Sequence, residues 1–174
     1  MKPDDFIARL APAAIASAKE SGIPASFVIA QAALESGWGT AKPAINALNL
    51  FNIKADASWP GPAWQMASQE YVAGRTVVVP AKWRMYPTWQ ASVEDHAAFL
   101  KKNKRYAACF LPPDWTSPSA REVLAKCGNS AALARPAWFA MQIAAAGYAT
   151  DPAYLDKVLQ VLRGHNLVGL DAPR

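Results

Sequence analysis

Apolar positions along this chain change rhythm twice. From Asp4 or Asp5 to about Glu20, the residues Phe6, Ile7, Leu10, Ala14 and Ile15 recur at three- and four-residue intervals. That spacing predicts an amphipathic helix with one buried face, closed by Ser21-Gly22. A second helix is expected from about Pro24, which suits a first helical turn, through the apolar run 30–34 to a stop at Gly37 and Gly39. The stretch 40–67 has no regular spacing and carries Pro43, Asn46, Asn49, Asn52, Pro60, Gly61 and Pro62, so it reads as irregular. Strand character follows in 68–72 and 76–79, separated by Ala73-Gly74-Arg75 as a hairpin turn, and 82–86 can extend the sheet. Helical spacing returns over 92–102, 119–126, 136–146 and 152–163, the last introduced by Asp151 as an N-cap acid and Pro152 at the first helical position.

Helices, a small β insertion and more helices predict an α+β protein, a mostly helical body and a β-hairpin lobe flanking a groove. A chain of 174 residues suits one domain over 1–174, with a core at about 4–163 and a short C-terminal tail over 164–174. Neither an internal repeat nor a low-complexity segment interrupts it.

With 52% hydrophobic and 18% charged residues, the composition is that of an ordinary globular protein. The formal charge of +5 and pI near 9.3 favour anionic partners. Nucleic acid is not expected among them, because the basic cluster Lys101-Lys102-Asn103-Lys104-Arg105 ends a predicted helix, where cations complement the dipole. Glycine-rich phosphate loops, zinc-finger spacings and RNA-binding signatures are also missing. Bacterial cell wall, rich in carboxylates and phosphates, fits modest basicity equally well, so charge alone does not choose. The start Met1-Lys2-Pro3-Asp4-Asp5 lacks the pattern of a secretory signal, and no apolar segment is long enough to span a bilayer. The expectation is a monomer made in the cytoplasm, without membrane insertion. Cys109 and Cys127 are too few for a disulfide scaffold; a bridge and two buried thiols both remain open. His96 and His165 are far apart, and Glu94-Asp95-His96 does not match a two-histidine zinc helix, so neither metal nor cofactor is expected.

The candidate chemistry sits where the second helix gives out. Glu35, in Ala32-Ala33-Leu34-Glu35-Ser36-Gly37-Trp38-Gly39, ends a stretch with almost no other charge. The negative end of the helix dipole and the neighbours Leu34 and Trp38 both disfavour its ionised form. A carboxylic acid still protonated near neutral pH can give its proton to a leaving group, as the general acid of glycoside hydrolysis must. Position alone leaves open a solvated or ion-paired residue in an ordinary last turn. Aromatic residues at Trp59, Trp64, Tyr71, Trp83, Tyr86 and Trp89 could stack on sugars or form ordinary core.

Six blocks extend this reading: 30–39 around Glu35; Asn49-Leu50-Phe51-Asn52-Ile53-Lys54; Glu70-Tyr71 followed by Gly74; Trp83-Arg84-Met85-Tyr86; Arg105-Tyr106-Ala107; and 147–152, which includes Tyr148. In this order, from about Asp4 to Leu162, they resemble glycoside hydrolase family seventy-three, the peptidoglycan N-acetylglucosaminidases that include flagellar rod-associated hydrolases, autolysins and phage lysins. The resemblance implies a lysozyme-like fold and hydrolysis of the β-1,4 bond between N-acetylglucosamine and N-acetylmuramic acid in cell-wall glycan strands. By matched position Glu35 resembles the general acid, Glu70 the second carboxylate and Tyr148 a supporting tyrosine. Trp38, Asn49, Phe51, Tyr71 and Tyr106 are the expected substrate-binding residues, with core or loop packing as their alternative. Many members have glycine where this chain has Asn52; if that position takes a positive φ, asparagine is among the best tolerated replacements, and a local adjustment is expected.

Glu70 could activate water, act as nucleophile or stabilise the substrate's N-acetyl group during its own attack; the last route, which retains anomeric configuration, is the expectation. Alternatives on the same fold are a muramidase or lytic transglycosylase, and a non-catalytic wall-binding or assembly module. The expected setting is a phage or prophage endolysin that acts on the wall after release.

Overall fold

The N-terminal helices form where the apolar rhythm places them. In the computed structural model, which describes residues 1–72, 75–149 and 151–171 and the side chains of all these but 68–72 and 76, α1 spans Pro3–Ser21 and α2 spans Ala25–Ser36. Phe6, Leu10 and Ala14 are buried on α1, and Gly22 closes it at φ 76°. Every residue of α2 from Ala25 to Ala33 is buried. A helix apolar on all sides belongs in the middle of a domain, and α2 does lie there, against α1, α6 (Ala131–Ala145), α7 (Tyr154–Gly164) and a terminal 3-10 helix, Leu167–Asp171.

That terminal turn differs from the expected tail. Leu167 is buried in the core, and the Asp171 carboxylate receives the Ser26 amide at 3.0 Å together with the Ser26 hydroxyl. The first amides of α2 have no partner within the helix and no acid in its first turn, so a carboxylate from the far end of the chain meets an otherwise unsatisfied need.

Other boundaries move for local reasons. A short helix, α3 (Lys42–Asn46), lies within the stretch expected to be irregular. α4 spans Trp89–Lys102, earlier than expected because Thr88 caps it by accepting from the Ala91 amide at 3.1 Å. A 3-10 helix, Lys104–Phe110, continues the basic cluster, and α5 spans Pro118–Lys126 behind its Ser117 cap. α6 begins at Ala131, so Pro136 lies inside it instead of opening it. α7 begins at Tyr154, because the Asp151 side chain accepts from the Ala153 amide at 2.8 Å and makes a turn before the helix. Cys109 and Cys127 are buried free thiols.

The β lobe is longer than the strand pattern suggests. β1 (Ala63–Val72) and β2 (Arg75–Arg84) pair antiparallel from Ala63↔Arg84 at the base to Val72↔Arg75 at the far end. The expected turn residues Ala73 and Gly74 lie outside the described residues. Backbone bonds tie the base to the body: Arg84 N–H to Ile53 at 3.1 Å, Ala55 N–H to Lys82 at 2.8 Å and Tyr86 N–H to Ala47 at 3.0 Å. Arg84, buried, is held by both Asp95 oxygens at 3.0 and 2.9 Å and lies over the Trp59 ring, while the Tyr86 hydroxyl donates to Asp95 at 2.6 Å.

Candidate active site

α2 ends abruptly, and that ending sets Glu35 in place. Gly37 takes φ 55°, Trp38 φ 59° and Gly39 φ 75°, a run of left-handed residues that turns the chain away one residue after Ser36. At Gly39 a side chain would also meet the rings of Phe6 and Trp89 at 3.3 Å, so glycine answers both a backbone and a packing requirement. Glu35 therefore stands, half-buried, on the last turn of a buried helix.

The loop 49–53 closes against it. Asn49, fully buried, donates through Nδ2 to the carbonyls of Ile53 and Arg84, both at 2.9 Å, and accepts from the Ile53 amide at 3.1 Å. This brings Asn52 under the end of α2, where its Nδ2 donates to the Glu35 carbonyl at 2.8 Å and to Glu35 Oε2 at 3.2 Å. Asn52 has φ 53°, the left-handed conformation that asparagine tolerates. Burial raises the Glu35 carboxyl above its ordinary value of 4.5, and the bond from Asn52 opposes part of that rise. Desolvation wins, which favours the protonated acid.

Tyr148 reaches the same place from the loop after α6. Its hydroxyl donates to the Phe51 carbonyl at 2.9 Å, one residue from Asn52. Burial first, and then the charge of Glu35, push its phenol well above the ordinary range, so it stays a neutral donor. The rings behind it are Tyr106, at 6.1 Å, and His96, at 6.5 Å, with His96 stacked on Phe51 at 3.9 Å. Burial holds His96 down to about 3, so this histidine is a neutral flat spacer and carries no charge to the site.

Glu35, Phe51, Tyr106 and Tyr148 thus come together, but not all as surface. Asn49, Phe51 and Tyr106, expected to bind substrate, are 0%, 2% and 2% exposed and support the site from behind. Trp38 is half-buried, edge-on to Phe6 at 5.7 Å and to His165 at 4.9 Å. The side chains of Glu70 and Tyr71 lie outside the described residues. On the backbone, Glu70 pairs with Val77 and Tyr71 with Thr76. Glu70 is thus seven residues beyond the strand base at Ala63, roughly 23 Å of extended chain.

Two further residues near Glu35 carry no local signal of that position in the sequence. Asn52 stood out only as an unusual loop residue; its role depends on a partner 17 positions away. Tyr154, on α7, feels the charge of Glu35 as Tyr148 does, and its raised phenol comes mainly from burial. A cavity of about 620 Å³ lies elsewhere, between Lys101, Phe110, Arg135 and Trp138, and no carboxylate lines it. Among the described residues no cluster of histidine, cysteine and acidic side chains could hold a metal ion, and no helix is long and apolar enough to cross a membrane.

Residues 11–167 match the glucosaminidase family, described as mannosyl-glycoprotein endo-beta-N-acetylglucosaminidase. The peptidoglycan hydrolase FlgJ of Salmonella typhimurium is 36% identical over 91% of this chain and 45% of its own length. The exo-glucosaminidase LytG of Bacillus subtilis is 33% identical over 82% of this chain and 44% of its own. The chain thus spans under half the length of these relatives. Among solved structures, the catalytic domain of the autolysin Auto from Listeria monocytogenes superposes with a TM-score of 0.72 at 27% identity, covering 97% of this chain and 87% of that one.

Proposed function

Since this chain belongs to the glucosaminidase family, we propose that it hydrolyses the β-1,4 bond between N-acetylglucosamine and N-acetylmuramic acid in bacterial cell wall, with Glu35 as general acid. The observation that carries the proposal is the setting of Glu35: a half-buried carboxyl on the last turn of a buried helix, raised by desolvation and held by Asn52. The names of the relatives, peptidoglycan hydrolase and exo-glucosaminidase, support the substrate and the sugar cut.

In the proposed reaction the Glu35 proton passes to the glycosidic oxygen as the bond to the anomeric carbon breaks, leaving an oxocarbenium-like centre. The substrate's N-acetyl oxygen attacks that centre while Glu70 and Tyr148 position and polarise the group; water, giving a proton to the Glu35 carboxylate, then attacks the anomeric carbon and opens the bicyclic intermediate with retention, which restores the acid. Tyr148 suits this role because its neutral hydroxyl is fixed beside the loop that holds Glu35.

Glu35→Gln keeps the shape without a transferable proton, so the folded variant should lose at least about a hundredfold of its murein-clearing activity in a turbidity assay. Near-wild-type clearing by that variant would overturn the assignment. Fragment mass spectrometry checks the bond: reducing-end N-acetylglucosamine is expected, whereas reducing-end N-acetylmuramic acid or a 1,6-anhydro product would point to the muramidase or transglycosylase alternative. The endolysin setting is a separate part of the proposal, tested by whether co-expression with a membrane pore is required for this protein to lyse cells.

A further inference from the structure

Asn52 makes two bonds with one amide group, and their chemistry fixes its orientation. A backbone carbonyl can only accept, so the atom 2.8 Å from the Glu35 carbonyl must be the Asn52 nitrogen. Its second hydrogen is then directed at Glu35 Oε2, 3.2 Å away. The two acceptors belong to one residue, so the amide grips Glu35 by its main chain and its side chain together.

We propose that Asn52 is a positioning residue for the glycosidic reaction: it holds Glu35 Oε2 as an acceptor, so that the transferable proton is carried on Oε1. An oxygen that accepts from an amide N–H has no reason to bear the proton itself, and the neutral acid places it on the other oxygen. The left-handed backbone at Asn52 is what aims the side chain back at α2, and φ 53° is a conformation glycine takes equally well. The same bond favours the ionised carboxylate, so Asn52 also limits how far burial raises Glu35. Among the described residues, Tyr148, from the loop after α6, and Tyr154, from α7, feel the charge of Glu35, and both phenols are raised by burial and stay neutral. The side chain of Glu70 lies outside the described residues.

This inference rests on Glu35 being the proton donor, and the test separates the two. Asn52→Gly retains the backbone conformation and deletes the grip. Its murein-clearing activity should keep a basic limb, moved to higher pH on the order of one unit, because a bond that stabilised the carboxylate is gone. Asn52→Asp places a second carboxyl beside the first and should move that limb at least as far in the same direction. The carbon-13 titration of the Glu35 carboxyl, read by NMR in the folded wild-type and Asn52→Gly proteins, should show the same rise without any dependence on turnover. If Glu35→Gln is inactive but the limb and the NMR midpoint of Asn52→Gly are unmoved, the role of Asn52 is overturned while the proton donor stands. If folded Glu35→Gln clears murein normally, the donor assignment itself falls.

Discussion

Replacing Asn49 with alanine distinguishes a support from a contact. Asn49 is fully buried and makes three hydrogen bonds to backbone groups of Ile53 and Arg84, at 2.9, 2.9 and 3.1 Å. Each such bond contributes about 1 kcal/mol net, and each group left without a partner in the interior costs up to about 1–3 kcal/mol. Allowing for partial relaxation, the loss for Asn49→Ala is about 3 kcal/mol. For a domain of this size a kilocalorie corresponds to about 2–4 °C, so the melting temperature should fall by roughly 6–12 °C in calorimetry. Because the loop 49–53 carries Asn52, activity measured well below that transition should fall through kcat more than through KM. Asn49→Asp sharpens the test, since it retains the acceptor for the Ile53 amide but turns an acceptor toward two carbonyls. Its buried carboxyl should hold a proton more tightly folded than unfolded, so its destabilisation should grow as pH rises above about 4. A melting temperature within about a degree of wild type, together with a raised KM, would refute the supporting role and return Asn49 to the substrate surface.

Glu35→Gln has a stability consequence as well as a catalytic one. The raised carboxyl makes the folded state bind its proton more tightly, so wild-type stability declines as pH climbs from the unfolded value through the folded one, and the amide variant should gain relative to wild type across that window in parallel urea titrations. Equal stability at every pH would contradict the raised acid. Asp95→Ala leaves the buried Arg84 guanidinium with only the Asp56 carboxylate, 3.9 Å away, and should cost about 3 kcal/mol in urea unfolding, with Asp95→Asn milder; a loss below about 1 kcal/mol would argue that Asp56 or water replaces the lost partner. Asp171→Ala removes the remote cap on α2 and should cost about 1–2 kcal/mol by the same measurement. Cys109, pushed up to about 11 by burial, and Cys127, also raised by burial, should resist a thiol reagent at pH 8 in the folded protein and both react once it is denatured; only one or no thiol after denaturation without reductant would mean that they had oxidised.

What the sequence determined by itself is the local part of this protein. The three- and four-residue spacing of Phe6, Leu10 and Ala14 dictates α1, the unbroken apolar run dictates a central α2, and the glycines at 37 and 39 dictate where α2 stops and hence where Glu35 stands. These are effects between residues close along the chain, and their energetics are written in neighbouring letters. Prolines were less legible, because the same ring can open a helix or sit inside one: Pro136 lies well within α6, while Pro152 precedes α7.

Tertiary structure alone decided which groups meet. The Asp171 cap on Ser26 closes a gap of 145 positions, Asn49 reaches 35 positions to Arg84, and Tyr148 reaches 97 to the Phe51 carbonyl. No local pattern announces such pairs, since each depends on how several helices pack before the polar groups can find one another. Asn52 shows the division most directly: its tolerance for a left-handed backbone could be read from its side chain, but its grip on Glu35 exists only because a loop folds under the end of a helix. Whether a carboxyl keeps its proton depends on desolvation and on the donors around it, and both are properties of the packed chain.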